Sequence, residues 1–239
     1  MAVEVMEAPE WSWGIRLAFA VGVLAGLEML DTAVTYLFEN SEKIPAKGKH
    51  HDQLRPVDIL CISFNKMTIV LFTWHVISFL WHSSEVDLAL ADMTFSNTVL
   101  AVPALYVVYD FFYSLFHRFL HIKAVYAYVH KHHHVQKVPS RGSNDAINVH
   151  PFEFVCGEYN HILAIYLVSQ VMRVHAVAAM GFVVLGGLLA SLNHTRFDIS
   201  IPGVYDVKAH DVHHRIPQSN YGQYIMLWDR LMGSFREYR

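Results

Sequence analysis

Apolar residues dominate from Trp13 to Phe38, a run longer than the ~20 residues that cross a bilayer as a helix. Two similar runs follow, Val57 to Trp81 and Asn97 to Phe116. Each predicts a membrane-spanning helix. Glu28 and Asp31 interrupt the first run at helical spacing, which puts them either on a face turned toward other helices or at an interface where they reach for water. Lys66 and His75 interrupt the second. A lone histidine on an apolar helix reads as a hydrogen-bonded packing residue. Apolar character returns from Ile162 to Leu192, broken at Arg173 and His175. That stretch exceeds one crossing, yet its first part is too short to span alone. A helical hairpin entering and leaving from one side fits both facts, with Gly181, Gly186 and Gly187 letting helices approach closely. The polar stretches 39–56, 82–96 and 135–149 read as loops. The last is turn-rich from Pro139 to Asp145 and is expected to lie over whatever the bundle carries.

Composition agrees with the bilayer reading, at 54% hydrophobic and 16% charged residues. Charge placement adds orientation. The N-terminus is acidic (Glu4, Glu7, Glu10) and the first loop basic (Lys43, Lys47, Lys49, Arg55). The second loop is acidic (Glu85, Asp87, Asp92), and the region after the third run is basic again (Arg118, Lys123, Lys131, Lys137, Arg141). The positive-inside rule then puts the N-terminus outside, with the first loop and the region after the third run in the cytosol. A net charge of −3 with no basic stripe gives no partner of the nucleic-acid class. An acidic start without a basic n-region argues against a cleaved signal peptide. Cys61 and Cys156 fit neither a disulfide framework nor a CxxC motif. The length suits a single integral-membrane domain, 1–239, with membrane helices in 1–96 and the chemistry in 97–239.

The chemistry is histidine. The chain holds 17 of them, and they are ordered: His117-Arg118-Phe119-Leu120-His121, then His130-Lys131-His132-His133-His134, and far downstream His210-Asp211-Val212-His213-His214. Positions i, i+3 and i+4 of a helix lie on one side, so each box is expected to present its imidazoles on one face. His132 points elsewhere and is left out, as are the loop pair His50-His51 and the isolated His161. Eight imidazoles, with His194 a ninth, exceed what one ion takes and fit a pair of metals. Residue type does not choose the metal, since imidazole suits Zn, Cu, Fe and Ni alike. No HExxH zinc-protease pattern occurs, nor the pair of Glu-x-x-His motifs that carboxylate di-iron bundles use. A metal-binding transporter is the rival from another class. Transport sites lie near the midplane and metal-binding loops are low-complexity tracts, whereas these boxes are regular and fall at membrane exits. Asp110, two turns before His117 and on its face, is expected to accept an imidazole N–H or to meet a basic partner at the helix end. Asp211 and Asp229 are further candidates for holding an imidazole tautomer.

In order, the segment Asp110-Phe111-Phe112-Tyr113-Ser114-Leu115-Phe116-His117 through His121, the second box, His150-Pro151-Phe152-Glu153, His194, the third box, and the ending Asn220-Tyr221-Gly222 with Trp228-Asp229-Arg230-Leu231-Met232-Gly233 resemble the fatty acid hydroxylase/sterol desaturase superfamily. These are membrane histidine-box oxygenases, and the resemblance covers 109–235. It implies an all-α polytopic bundle with a cytosolic helical cap holding two non-haem iron ions. The ligand positions it implies are His117, His121, His130, His133, His134, His194, His210, His213 and His214. His150, Asp110, Asp211, Asn220 and Asp229 would serve as further ligands or as partners of ligands. It implies O2 as co-substrate and hydroxylation of a lipid (fatty acyl chain or sterol), with desaturation as the close alternative. Electrons are expected from an external cytochrome b5-type or ferredoxin-type donor with its reductase, and the endoplasmic reticulum is the expected membrane, with a plastid or bacterial membrane as the alternatives. Members with a tenth ligand carry a histidine four residues from the position of His194; those places are Ala190 and Asp198 here. Asn193-His194-Thr195-Arg196-Phe197 also departs from the His-Ser-Gly form of sterol oxidases.

Overall fold

The computed structural model describes residues 11–239, so the acidic positions Glu4, Glu7 and Glu10 lie outside the described residues. Helix α1 (Trp13–Phe38) begins where Ser12 Oγ accepts the Ile15 N–H. Helix α2 (Pro56–His82) begins with a proline that has no N–H to satisfy, and Asp58 accepts the Arg55 N–H at 2.6 Å. A π-helical turn (Phe95–Leu100) leads into α3 (Ala101–Leu120). Short helices α4 (Lys123–Tyr126) and α5 (Ser143–Ala146) precede the hairpin of α6 (Pro151–Ser169) and α7 (Ala176–Asn193). Helices α8 (Val207–Arg215) and α9 (Leu227–Leu231) complete the chain. Among the described residues, four helices, namely α1, α2, Phe95–Leu120 and α7, are long and apolar enough to cross a membrane. The protein is an all-α integral membrane protein.

The expected hairpin forms, but it starts earlier and reaches further than the apolar run from Ile162 suggests. The first half of α6 carries Glu153, Glu158, Asn160 and His161, which hide it from hydropathy because they face the protein interior. With 19 residues, α6 is about 28 Å long at ~1.5 Å per residue, close to the hydrocarbon thickness. Its tip pairs with the opposite end of the bundle: strand β1 (Val86–Asp87) lies parallel to β2 (Val174–His175), and Arg173 pairs with Asp87 and Glu85.

Helix α3 lies along α6, α6 on α2, and α7 against α3 and α1. Phe72, Leu105, Ile165 and Phe182 are fully buried at the centre, where Tyr106 meets Phe182 edge-on at 4.9 Å. Trp13, Leu17, Val21 and Met29 of α1 are exposed, as suits a helix facing lipid. Its two acids turn toward protein. Glu28 pairs with Lys66 of α2, while Asp31 Oδ1 accepts from Ser143 N (2.8 Å) and Ser191 Oγ (3.0 Å). Of the three hairpin glycines only Gly186 marks a close approach: a Cβ there would lie 2.8 Å from the Tyr224 hydroxyl, and one at Gly181 or Gly187 would meet nothing.

The first loop packs down onto the histidine end. Ile44 is buried and donates its N–H to the Arg196 carbonyl (2.7 Å), and the Lys49 carbonyl accepts from Lys137 N (3.1 Å). The β3–β4 turn (Ser200–Ile201, Tyr205–Asp206) feeds α8, whose first N–H groups are capped by Asp206. Gly142 joins this cap to the bundle at φ +54°, where an added Cβ would sit 2.5 Å from Asp31 Oδ1. Asp31 is held by its two hydrogen bonds and cannot yield. Gly142→Ala is therefore expected to cost roughly 2–5 kcal/mol, read as a lowered unfolding midpoint in detergent; an unchanged midpoint would contradict it.

Candidate metal centre

Nine imidazoles converge in two groups. His117, His121, His130, His134 and His213 form one; His133, His194, His210 and His214 form the other, and within each the ring nitrogens lie within 4.8 Å of one another. Eight of the nine are buried, His121 being half-buried. The boxes do not each stay on one face. Each HxxHH box is shared: its i and i+4 members go to one group and its i+3 member to the other. His130 and His134 stand with His213, whereas His210 and His214 stand with His133. The reason is angular. At 100° per residue, i and i+4 differ by about 40°, whereas i+3 falls about 60° to the other side of i. The second box is also not α-helical but ends in a 3₁₀ turn at His133–Val135.

The contacts of the other ring nitrogen fix which atom faces inward. His117 Nδ1 donates to the Tyr221 carbonyl (2.8 Å), His213 to Ser219 (2.7 Å), His214 to Gln136 (3.0 Å) and His194 to Ala190 (2.8 Å). A carbonyl only accepts, so each Nδ1 carries the proton and each Nε2 a lone pair. Those lone pairs face one another: Nε2–Nε2 separations are 3.0 Å for His117–His130, 2.9 Å for His130–His134 and 3.1 Å for His134–His213. In the second group they are 3.3 Å for His133–His194, 3.1 Å for His194–His210 and 3.1 Å for His210–His214. Neutral buried rings gain nothing from that arrangement by themselves. Donors this close suit a metal at the ~2.0–2.1 Å typical of imidazole ligands, and the His121 Nε2, buried without any partner, suits it too. The donor set fits two cations.

The expected acid partners sit elsewhere. Among the described residues, no hydrogen bond from Asp110, Asp211, Asp229, Asn220 or His150 reaches an imidazole of either group. Asp110 accepts the main-chain N–H groups of Gln223, Tyr224 and Ile225. Asp229 accepts those of Tyr221 and Gly222, and Asp211 pairs with Arg196 and Arg215. Asn220, at φ 52°, bonds the carbonyls of Ala209 and Arg236. His150 caps α6 through the Phe152 N–H. Asp229 and Asn220 clamp the backbone that presents the Ser219 and Tyr221 carbonyls, so the His213 and His117 tautomers are fixed by neutral carbonyls that these side chains hold in place. The acid that does touch a clustered ring is Glu153, whose Oε1 lies 2.7 Å from His130 Nδ1. The sequence held its signal, a carboxylate in the first turn of α6 next to His150-Pro151, yet spacing to a box did not single it out. The positions four from His194 supply no ring. Ala190 offers its carbonyl to His194, and Asp198 pairs with Lys208. His132 bonds Asn148 (2.7 Å), outside both groups. His75 bonds the Tyr159 hydroxyl (2.5 Å) and His161 the Tyr224 hydroxyl (3.2 Å).

Burial pushes His133, His134, His210, His213 and His214 well below the ordinary imidazole value, with neighbouring rings acting the same way. Burial lowers His121 to about 3. In metal-free protein these rings stay neutral when folded and take up protons on unfolding below about pH 6.5. The unfolded state then binds more protons, so stability falls as pH falls through that value. Unfolding of chelated protein at pH 5.5 is expected at a lower temperature than at pH 7.5; a flat profile would contradict the neutral-cluster assignment.

Beneath the groups, between α1, α2, α3, α6 and α7, lies a cavity of about 420 Å³. Its walls include Leu27, Leu30, Ile69, Phe72 and Val183, and Glu153 lines it from the histidine side. The expected lip also contributes, through Ser143, Ala146, Ile147 and Val149.

A membrane helical bundle with two buried histidine groups above an apolar cavity defines a class of candidate dimetal membrane proteins. Comparison gives the family. The family model described as fatty acid hydroxylase matches residues 102–234, more than half of the 239 residues. The chain belongs to the fatty acid hydroxylase/sterol desaturase superfamily. Among its relatives, lathosterol oxidase of Rattus norvegicus is 32% identical over 125 residues, which are 50% of this chain and 40% of that protein. The Delta(7)-sterol 5(6)-desaturase of Leptosphaeria maculans is 27% identical over 228 residues, 95% of this chain and 60% of the relative. Methylsterol monooxygenase 1 of Rattus norvegicus is 28% identical over 138 residues, 55% and 45% respectively. The matches thus span about 40 to 60% of the relatives' lengths. No solved structure matches the chain.

Proposed function

We propose that this protein is a membrane-bound di-iron oxygenase that hydroxylates a lipid with O2 and electrons from an external cytochrome b5-type or ferredoxin-type donor. The observation that carries this reading is the pair of Nε2 clusters, five and four rings, joined to an apolar cavity through Glu153, which lines the cavity and bonds His130. His117, His121, His130, His134 and His213 would hold one iron, and His133, His194, His210 and His214 the other. Iron bound there supplies O2 activation and removal of hydrogen from an unactivated C–H bond. The chain does the rest. Carbonyls of Tyr221, Ser219, Gln136 and Ala190 and the Glu153 carboxylate hold the rings' tautomers. Apolar walls bind the lipid chain and exclude water. In hydroxylation one oxygen atom enters the C–H bond and the other leaves as water, formed with two electrons from the donor and two protons from solvent.

Desaturation at the same site is the second reading. It is favoured by relatives named lathosterol oxidase and Delta(7)-sterol 5(6)-desaturase, and on that analogy a sterol is a candidate substrate. The basic residues of the first loop lie at the histidine end, which supports a cytosol-facing site, with the endoplasmic reticulum as the proposed membrane. Metal analysis of purified protein, followed by incubation with lipid extract, reduced donor and O2, tests the proposal. Two irons per chain and a product that gains one oxygen support hydroxylation, and loss of two hydrogens supports desaturation. Iron-free protein, or iron-loaded protein inert toward lipid with every donor type, would overturn the oxygenase reading.

A further inference from the structure

The cavity is apolar but not uniformly so. Glu158, on α6 one turn beyond Phe154, lines it, and among the described residues the Glu158 carboxylate makes no hydrogen bond or ion pair; only its main-chain carbonyl is used, by His161. Tyr113 of α3 lines the same space, and its hydroxyl likewise has no hydrogen-bond partner among the described residues. Nearer the histidines, Glu153 is 6% exposed, and while its Oε1 holds His130, its Oε2 is buried without a partner. Among the described residues, no lysine or arginine lines the cavity.

A carboxyl group kept without a protein partner inside a membrane bundle is costly and marks a site where a ligand completes the bonding. The lining specifies which ligand. Two glutamates and no cation repel a free carboxylate or a phosphate head group. A plain hydrocarbon would leave Glu158 unpaired on burial, and a site built around a hydrogen bond strongly disfavours the analogue lacking it. An ammonium group could pair with Glu158 but has no lone pair for the Tyr113 O–H. A hydroxyl meets both demands, donating to Glu158 and accepting from Tyr113.

We infer that Glu158 and Tyr113 form a subsite that anchors the hydroxyl of a neutral lipid alcohol, and that the cavity discriminates against anionic lipids and unfunctionalised chains. The inference rests on the oxygenase reading for its purpose, though not for its test. Glu158 is five residues along α6 from Glu153, about 7.5 Å at the helical rise, so the anchored hydroxyl lies deep in the cavity while the part of the molecule to be oxidised extends toward the histidines. Glu158 acts on specificity and touches neither group of rings.

Saturation binding of radiolabelled octadecan-1-ol, octadecane and octadecanoate to the full chain in nanodiscs, corrected for empty nanodiscs, tests this without turnover. The alcohol is expected to bind at least about tenfold more tightly than either companion. Glu158→Leu is expected to reduce the alcohol to the level of octadecane while octadecane binding persists. Tyr113→Phe is expected to lower the alcohol preference several-fold, and it decides the matter if Glu158→Leu fails to fold. Equal binding of the three probes by the wild type, preference for octadecanoate, or an alcohol preference untouched in both variants would overturn the subsite. The oxygenase reading fails separately, by iron content or turnover, whatever the probes show.

Discussion

Replacing His213 with alanine is expected to lower iron from about two atoms per chain to about one and to reduce lipid turnover at least about 100-fold, while helix content and size in detergent stay as in the wild type. His213 is completely buried, its Nε2 is 3.1 Å from that of His134, and its Nδ1 donates to Ser219. Losing that one neutral hydrogen bond costs only about 1 kcal/mol, small beside the loss of a metal ligand. The variant is selective because His210 and His214, on the same helix α8, face the other group. One ion should go and the other stay. His132→Ala is the matched control: it sits in a histidine box yet bonds Asn148, so its iron content should be that of the wild type. Full iron in His213→Ala would remove this ring from the site, and loss of both irons would mean that the two groups fold around their metals as one unit.

The contrast between His213 and His132 shows how far the sequence could be read. Hydropathy located α1 at the ends observed and α2 to within a residue, because lipid-facing helices such as α1 need apolar residues all round. It failed on the first half of α6, where Glu153, Glu158 and His161 face a cavity instead of lipid. The interior of a membrane protein can carry polar side chains where it binds something, and such a helix looks like a loop to a hydropathy count. Eight of the nine rings were legible through their regular spacing and His194 through the family resemblance, but their division was not. That the i+3 ring of each HxxHH box crosses to the other group depends on how α8 and the 133–135 turn face one another, which is tertiary information. The acids were misread for a related reason. Proximity on a helical wheel placed Asp110 beside His117, yet its carboxylate points to a loop more than a hundred residues downstream.

That loop makes Asp110 a determinant of stability, and Asp110→Ala is the strongest such test in the molecule. Its carboxylate, 0% exposed, accepts from Gln223 N at 3.0 Å, Tyr224 N at 3.1 Å and Ile225 N at 2.5 Å. Alanine would leave three donors without acceptors where no water reaches, at ~1–3 kcal/mol each before relaxation; a total of roughly 3–5 kcal/mol is expected. Asp110→Asn should fall between, since its amide oxygen can accept from these donors but its NH2 adds two hydrogens to a place already full of them. Iron should follow the fold rather than the substitution. If Asp110 acts only through residues 223–225, chains of Asp110→Ala that remain folded at low temperature keep the wild-type iron per folded chain, and the loss appears in the unfolding midpoint. If instead the folded variant binds iron weakly at an unchanged midpoint, Asp110 acts on the metal site and the backbone clamp is the wrong account. Destabilisation with iron retained would place Asp110 beside Asp229, whose bonds to the Tyr221 and Gly222 N–H groups hold the neighbouring stretch from which the Tyr221 carbonyl reaches His117.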